Sequence, residues 1–180
     1  RNATRSRNYG EHNMRQIFSI LVNNHPGVLS HVSGLFARRG YNIESIAAGP
    51  TENPETTRIV IVAIGEKETL EQIARQLRKL YDVREVNQLP YNRSVTRELV
   101  LATVAAGAEK RTEVLQIAIA FGANIVNVSD SSVTIEASGN DHKTRILIKT
   151  LEKYGISNMA RTGMIALPFD GMSEEWEPLA

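Results

Sequence analysis

The chain has 180 residues, 42% of them hydrophobic and 23% charged, with a net charge of +1. That length holds one ordinary domain or two small ones with a core, and a charge this close to zero exerts no general pull toward nucleic acid or anionic lipid. Cysteine is absent, which removes disulfides, thiolate metal sites and a cysteine nucleophile and fits a reducing compartment, and no apolar run approaches the ~20 residues of a membrane span.

Residues 1–13 carry Arg1, Arg5 and Arg7 against Glu11 and no apolar stretch, so they read as a flexible extension rather than a secretory signal. "QIFSILV" (16–22) is β-branched and aromatic enough for a buried strand. A corner of Asn24, His25, Pro26 and Gly27 follows. Val28, Leu29, Val32, Leu35 and Phe36 then recur at helical spacing until Gly40 stops the helix. "YNIESIAAG" (41–49) predicts a second strand, the two prolines of "PTENPE" (50–55) a loop, and "TRIVIVAIG" (57–65) a third strand, apolar on both faces. Leu70, Ile73, Leu77 and Leu80 form a second helical seam, and "DVREVNQL" (82–89) a fourth strand. The order is β-α-β-β-α-β, the split βαβ unit whose helices cover one face of an antiparallel sheet.

"PYNRSV" (90–95) has a proline and no periodicity and marks a join. The order then returns. "RELVLATVAA" (97–106) is a strand, and Val114, Ile117, Ala118 and Phe121 make a helix. "ANIVNVSD" (123–130) and "SSVTIEASG" (131–139) are strands around a polar turn. Ile146, Leu147, Leu151 and Tyr154 mark a helix, and "SNMARTGMIAL" (157–167) closes as one strand. The reading is α+β, two tandem βαββαβ (ferredoxin-like) domains at 14–90 and 95–167, with an acidic tail at 168–180. The repeat is architectural, since the second copy has no Pro-Gly corner. Because the third strand is apolar on both faces, the second face of its sheet is expected to be buried, most simply by another subunit.

Catalytic patterns are missing. No serine sits in a G-x-S-x-G elbow, and no G-x-G-x-x-G or Walker loop occurs. The histidines are His12, His25, His31 and His142. His25 and His31, six apart, do not share a helical face and no acidic ligand pattern accompanies them, so they read as solvated or turn residues. Arg38-Arg39 and Lys110-Arg111 are pairs rather than a basic stripe. Neither an enzyme nor a nucleic-acid binder is indicated.

The corner is different. Pro26 has no amide to leave unpaired, Asn24 or His25 is placed to cap, and the amides of Gly27, Val28 and Leu29 point outward at the positive end of the helix dipole. Such an end suits a carboxylate; a plain helix start without a ligand is the alternative. Asn42 offers an amide oxygen to an ammonium group or a donor to a carboxylate. A free amino acid needs both partners.

"HPGVLSHVSGLFARRGYNIESIAAG" (25–49), followed by "RELVL" (97–101) and "ARTGMIAL" (160–167), resembles the family of regulatory (small) subunits of acetolactate synthase, or acetohydroxyacid synthase, from about 14 to 167. The resemblance implies that the first domain is an ACT domain. It also implies a non-catalytic partner of a catalytic large subunit, activating it and conferring feedback inhibition by valine or another branched-chain amino acid. It implies a homodimer through the ACT domains with the effector at their interface, touching Asn24, Gly27, Val28 and Leu29 of one chain and Asn42 and Ile43 of the other. Thiamine diphosphate, magnesium and FAD are expected only on the catalytic partner; nucleic acid and membrane are not expected partners. His25 falls at a variable position and receives no ligand role. Residues 1–13 and the tail with Trp176 match no family feature, and plant forms carry two tandem copies of the unit where this chain has one. The expected compartment is the cytoplasm, or a plastid or mitochondrion after removal of a transit peptide. Two other classes stay open: an ACT-type transcription regulator sensing amino acids, and a small enzyme of ferredoxin-like fold.

Overall fold

The computed structural model describes residues 13–169, so the N-terminal extension before Asn13 and the acidic tail from residue 170 lie outside the described residues. Two compact units meet between Arg93 and Ser94.

The first unit runs β1 (Met14–Asn23), α1 (Val28–Arg39), β2 (Asn42–Pro50), β3 (Thr56–Gly65), α2 (Lys67–Leu77) and β4 (Val83–Leu89). Its sheet order is β2-β3-β1-β4, antiparallel throughout. The two most apolar strands, β1 and β3, take the centre, where no edge faces water. Phe18 and Ile20 of β1 and Ile59 and Ile61 of β3 meet Val32 and Phe36 of α1 and Ile73 and Leu77 of α2 in one core. The seam of α2 ends at Leu77; Leu80 packs on that core from the turn that follows rather than from a further helical turn. Gly40, at φ 65°, ends α1 in a Schellman arrangement, with Tyr41 N donating to Phe36 O and Gly40 N to Ala37 O. The Tyr41 ring then meets Phe36 edge-on at 6.0 Å, the apolar contact that commonly accompanies this motif.

On the sheet face opposite the helices, Ile17, Val60 and Val62 are at most 2% exposed within the single chain.

The second unit runs β5 (Ser94–Ala105), α3 (Ala108–Ala120), β6 (Asn124–Val128), β7 (Ser132–Gly139), α4 (Asp141–Glu152), β8 (Ile156–Arg161) and β9 (Ile165–Pro168). The order β6-β7-β5-β8 repeats the first sheet, so the βαββαβ pattern occurs twice. Two boundaries differ from the sequence reading. The closing strand is two strands, β8 beside Val100–Val104 and β9 beside Ser94–Arg97, and β5 begins at Ser94 inside the anticipated join. Among the described residues no helix is long and apolar enough to cross a membrane.

Candidate functional site at the first strand-to-helix corner

The corner between β1 and α1 is held from three sides by backbone and side-chain bonds. Asn23 N donates to Asp82 O at 2.9 Å and Asn24 N to Glu55 O at 2.8 Å. The Asn24 amide is engaged at both ends, its Nδ2 donating to Pro54 O at 2.9 Å and its Oδ1 accepting from Thr57 Oγ1 at 3.1 Å. Neither Asn24 nor His25 caps the helix. The N-cap is Gly27 at φ 91°, in the left-handed region, with no side-chain cap. A left-handed residue here turns the chain out of Pro26 and into the helix in one step, which glycine does without a Cβ penalty. The corresponding start of α3 has Gly107 at φ −67°, so the device belongs to the first unit alone.

At that helix start Val28 N reaches His25 O only at 3.4 Å, and among the described residues the amides of Gly27 and Leu29 have no protein partner. Orphan first-turn donors carry the positive end of the helix dipole and accommodate an anion. The side chains divide. Val28 is 6% exposed and packs in the core, so only its backbone faces outward; Leu29 is 44% exposed.

Asn42 and Ile43 lie elsewhere. Asn42 follows the Schellman turn directly and opens β2, opposite Ile64, whose other neighbour is Arg15. The corner follows Asn23, which pairs with Thr56. From residue 15 to residue 23 of β1 is eight steps, roughly 27 Å along the sheet. Within one chain the two groups are therefore at opposite ends of the same sheet. Asn42 is exposed, and its amide has no partner among the described residues. A bulge between Ile43 and Ser45 follows it, where Glu44 pairs with Arg15, Nε to Oε2 at 2.9 Å. Ile43 is half-buried against the core.

A further cluster underlies the corner. His25 Nε2 lies 2.6 Å from Asp82 Oδ1 and His31 Nδ1 3.1 Å from Asp82 Oδ2, while Asp82 itself is only 5% exposed. The hydrogen bond from His31, with that from His25, holds the Asp82 carboxyl below its ordinary range despite burial. The Pro26 carbonyl, and after it Asp82, raises His25 above the usual imidazole value. Sequence reading gave these groups no joint role, because Asp82 is 57 residues from His25 and nothing local to either announces the contact. The flanking of one corner by two histidines was the available hint.

In the second unit the two quoted motifs turn out to be partners. Glu98 of "RELVL" is buried, accepting from Arg161 Nη2 of "ARTGMIAL" at 2.6 Å and from the Thr144 hydroxyl of α4. Thr162 completes the link, its Oγ1 accepting from Leu99 N at 2.9 Å. The motifs pin β8 and the following turn to β5, and their polar groups are consumed in doing so. No group of three or more ligating side chains suited to a metal occurs among the described residues.

Comparison with known proteins agrees with this division. Residues 18–85 match the family model of the AHAS small subunit-like ACT domain, and residues 97–169 that of the small subunit of acetolactate synthase. The acetolactate synthase small subunit of Mycobacterium bovis is 44% identical over 149 residues, 83% of this chain and 89% of that protein. The chloroplastic acetolactate synthase small subunit 2 of Arabidopsis thaliana is also 44% identical over 149 residues, but these are 31% of that protein. The crystal structure of the acetolactate synthase small subunit from Thermotoga maritima superposes with a TM-score of 0.80 at 36% identity, covering 87% of this chain and 98% of that one. With both units matched and the fold shared along nearly their whole length, this chain belongs to the acetolactate synthase small-subunit family, and its first unit is an ACT domain.

Proposed function

We propose that the chain is the regulatory subunit of an acetolactate synthase, activating a catalytic large subunit and restraining it when valine, or another branched-chain amino acid, binds. Its role is regulatory, within branched-chain amino-acid synthesis. Thiamine diphosphate, magnesium and FAD belong in this reading to the catalytic partner, and this chain takes only the amino acid.

The effector site is split between two first units paired as a homodimer. The orphan amides of Gly27 and Leu29 take the carboxylate. The Asn42 amide oxygen of the facing chain takes the ammonium, and exposed Leu29 with Ile43 meets the branched side chain. Val28 contributes its backbone, and Asn24 holds the corner in shape. The observation that carries this reading is the separation of the corner from Asn42 by the length of the sheet. One chain supplies the two halves but cannot close them on a single small molecule. A ligand that binds only the paired state shifts the population toward it, and a coupling of ~1–3 kcal/mol gives about 5–150-fold control.

Two experiments test this. Asn42→Ala is expected to abolish valine inhibition of the reconstituted enzyme while leaving activation intact; lost activation with wild-type inhibition sinks the assignment. Mixing Asn42→Ala chains with Leu29→Asp chains is the sharper test. Randomly mixed dimers regain about a quarter of the sites, since each mixed dimer holds one intact pairing. No regain of valine binding on mixing refutes a site shared between chains.

A further inference from the structure

Both ring nitrogens of His25 face oxygens that can only accept. Nδ1 lies 3.1 Å from the carbonyl of Pro26 and Nε2 2.6 Å from Oδ1 of Asp82. Each contact needs an N–H, and only the imidazolium has two; the neutral ring turns a lone pair on one of the oxygens. His31 differs, because its one ring hydrogen bond among the described residues, Nδ1 to Asp82 Oδ2 at 3.1 Å, is met by one neutral tautomer. The oxygen held by His25 Nδ1 belongs to the peptide group joining Pro26 to Gly27. At the other side of that rigid plane is the Gly27 N–H. A proton on His25 thus fixes the direction of a donor at the helix start. Its loss leaves the remaining N–H to the carboxylate, the closer and stronger acceptor, and turns the Nδ1 lone pair on the Pro26 oxygen, which frees the plane to turn.

Beyond the Pro26 carbonyl, the charge that faces this proton is that of Asp82. From α1 the facing titratable group is His31. From β4 the nearby cation is Arg84, whose Nε donates to Asn23 Oδ1 at 2.5 Å. The β2–β3 connection meets the corner through the Glu55 carbonyl rather than its charge, and Tyr81, next to Asp82, is almost wholly exposed.

We propose that His25 is a positioning residue whose proton aims the Gly27 amide at the effector carboxylate, so that effector affinity falls as pH rises through neutrality. The proposal rests on the effector reading above and assigns that site its regulation by protons.

The test is calorimetric titration of the full chain with L-valine from about pH 6 to about pH 8.5, a range centred on imidazole chemistry. The wild-type dissociation constant is expected to rise about fivefold or more across it. His25→Gln is expected to bind with a constant that no longer changes with pH, and His31→Gln to keep the slope. Asp82→Asn, which leaves the ring but removes its counter-charge, is expected to move the slope to lower pH. A purely structural His25 shifts affinity equally at every pH. In parallel, NMR follows the His25 ring and the Gly27 amide without ligand, and the two are expected to titrate with one midpoint. A pH-independent wild-type constant, an unchanged slope in His25→Gln, or a Gly27 amide that ignores the ring's titration each overturns the proposal. No heat from valine at any pH refutes the effector reading instead, and the amide titration still decides whether His25 positions Gly27.

Discussion

Gly27 stands at φ 91° with open space around the position a Cβ would take. Any cost of substitution there is backbone strain rather than collision. Gly27→Ala is expected to lower stability by about 1–2 kcal/mol, read as a fall in the urea midpoint. Gly49 has equal room and no left-handed φ, so Gly49→Ala is expected to stay within about 0.5 kcal/mol of wild type. Asp82 and His25 give stability a pH dependence whose sign follows from their opposite shifts. The lowered carboxyl contributes stability above its ordinary value, and that contribution is lost as pH falls through its folded value. The raised imidazole contributes below about 6.5 and loses its contribution as pH rises through its folded value. Between these limits both act. Asp82→Asn is expected to remove most of the fall in urea midpoint that the wild type shows as pH rises from about 6.5 to about 8.

Among the elements, β5 depends most on buried polar groups. Arg161→Ala leaves the Glu98 carboxylate buried with Thr144 as its remaining side-chain partner. With Arg161 itself 40% exposed, the expected loss is about 2 kcal/mol, measured by chemical denaturation. The same polar pattern explains which parts of the fold were legible. Strands β1 and β3 and helix α1 announce themselves because their buried faces are apolar: Phe18, Ile20, Ile59 and Ile61 are where alternation places them. The start of β5 inverts that pattern. Ser94, Thr96 and Glu98 point inward and Val95 outward, so hydrophobicity reads the stretch as a join. Leu80 continues the helical spacing of α2 by position alone, packing from a turn. At the site, the Pro-Gly corner was legible because it is local, but its left-handed Gly27 cap was not, since Asn24 and His25 are the commoner capping types. Asn24 looked like a cap or a ligand. Its partners, Pro54 and Thr57, are about thirty residues away, beyond any local pattern.

At the scale of the whole molecule, two cores with separate memberships predict separate damage. Phe36→Ala is expected to cost about 3–5 kcal/mol and Leu147→Ala about 2–5, each lowering amide-exchange protection mainly in its own unit. The placement of the corner and Asn42 at opposite ends of one sheet has a larger consequence. A ligand that must bridge two chains obeys mass action in both the ligand and the protein. Valine added to a dilute solution is expected to tighten self-association, visible as a concentration-dependent shift in sedimentation, and dilution to weaken apparent valine affinity by the same linkage. Asn42→Ala is expected to uncouple the two. Under the proposed reading, feedback through such a site responds to how much subunit the cell has made as well as to how much amino acid it holds.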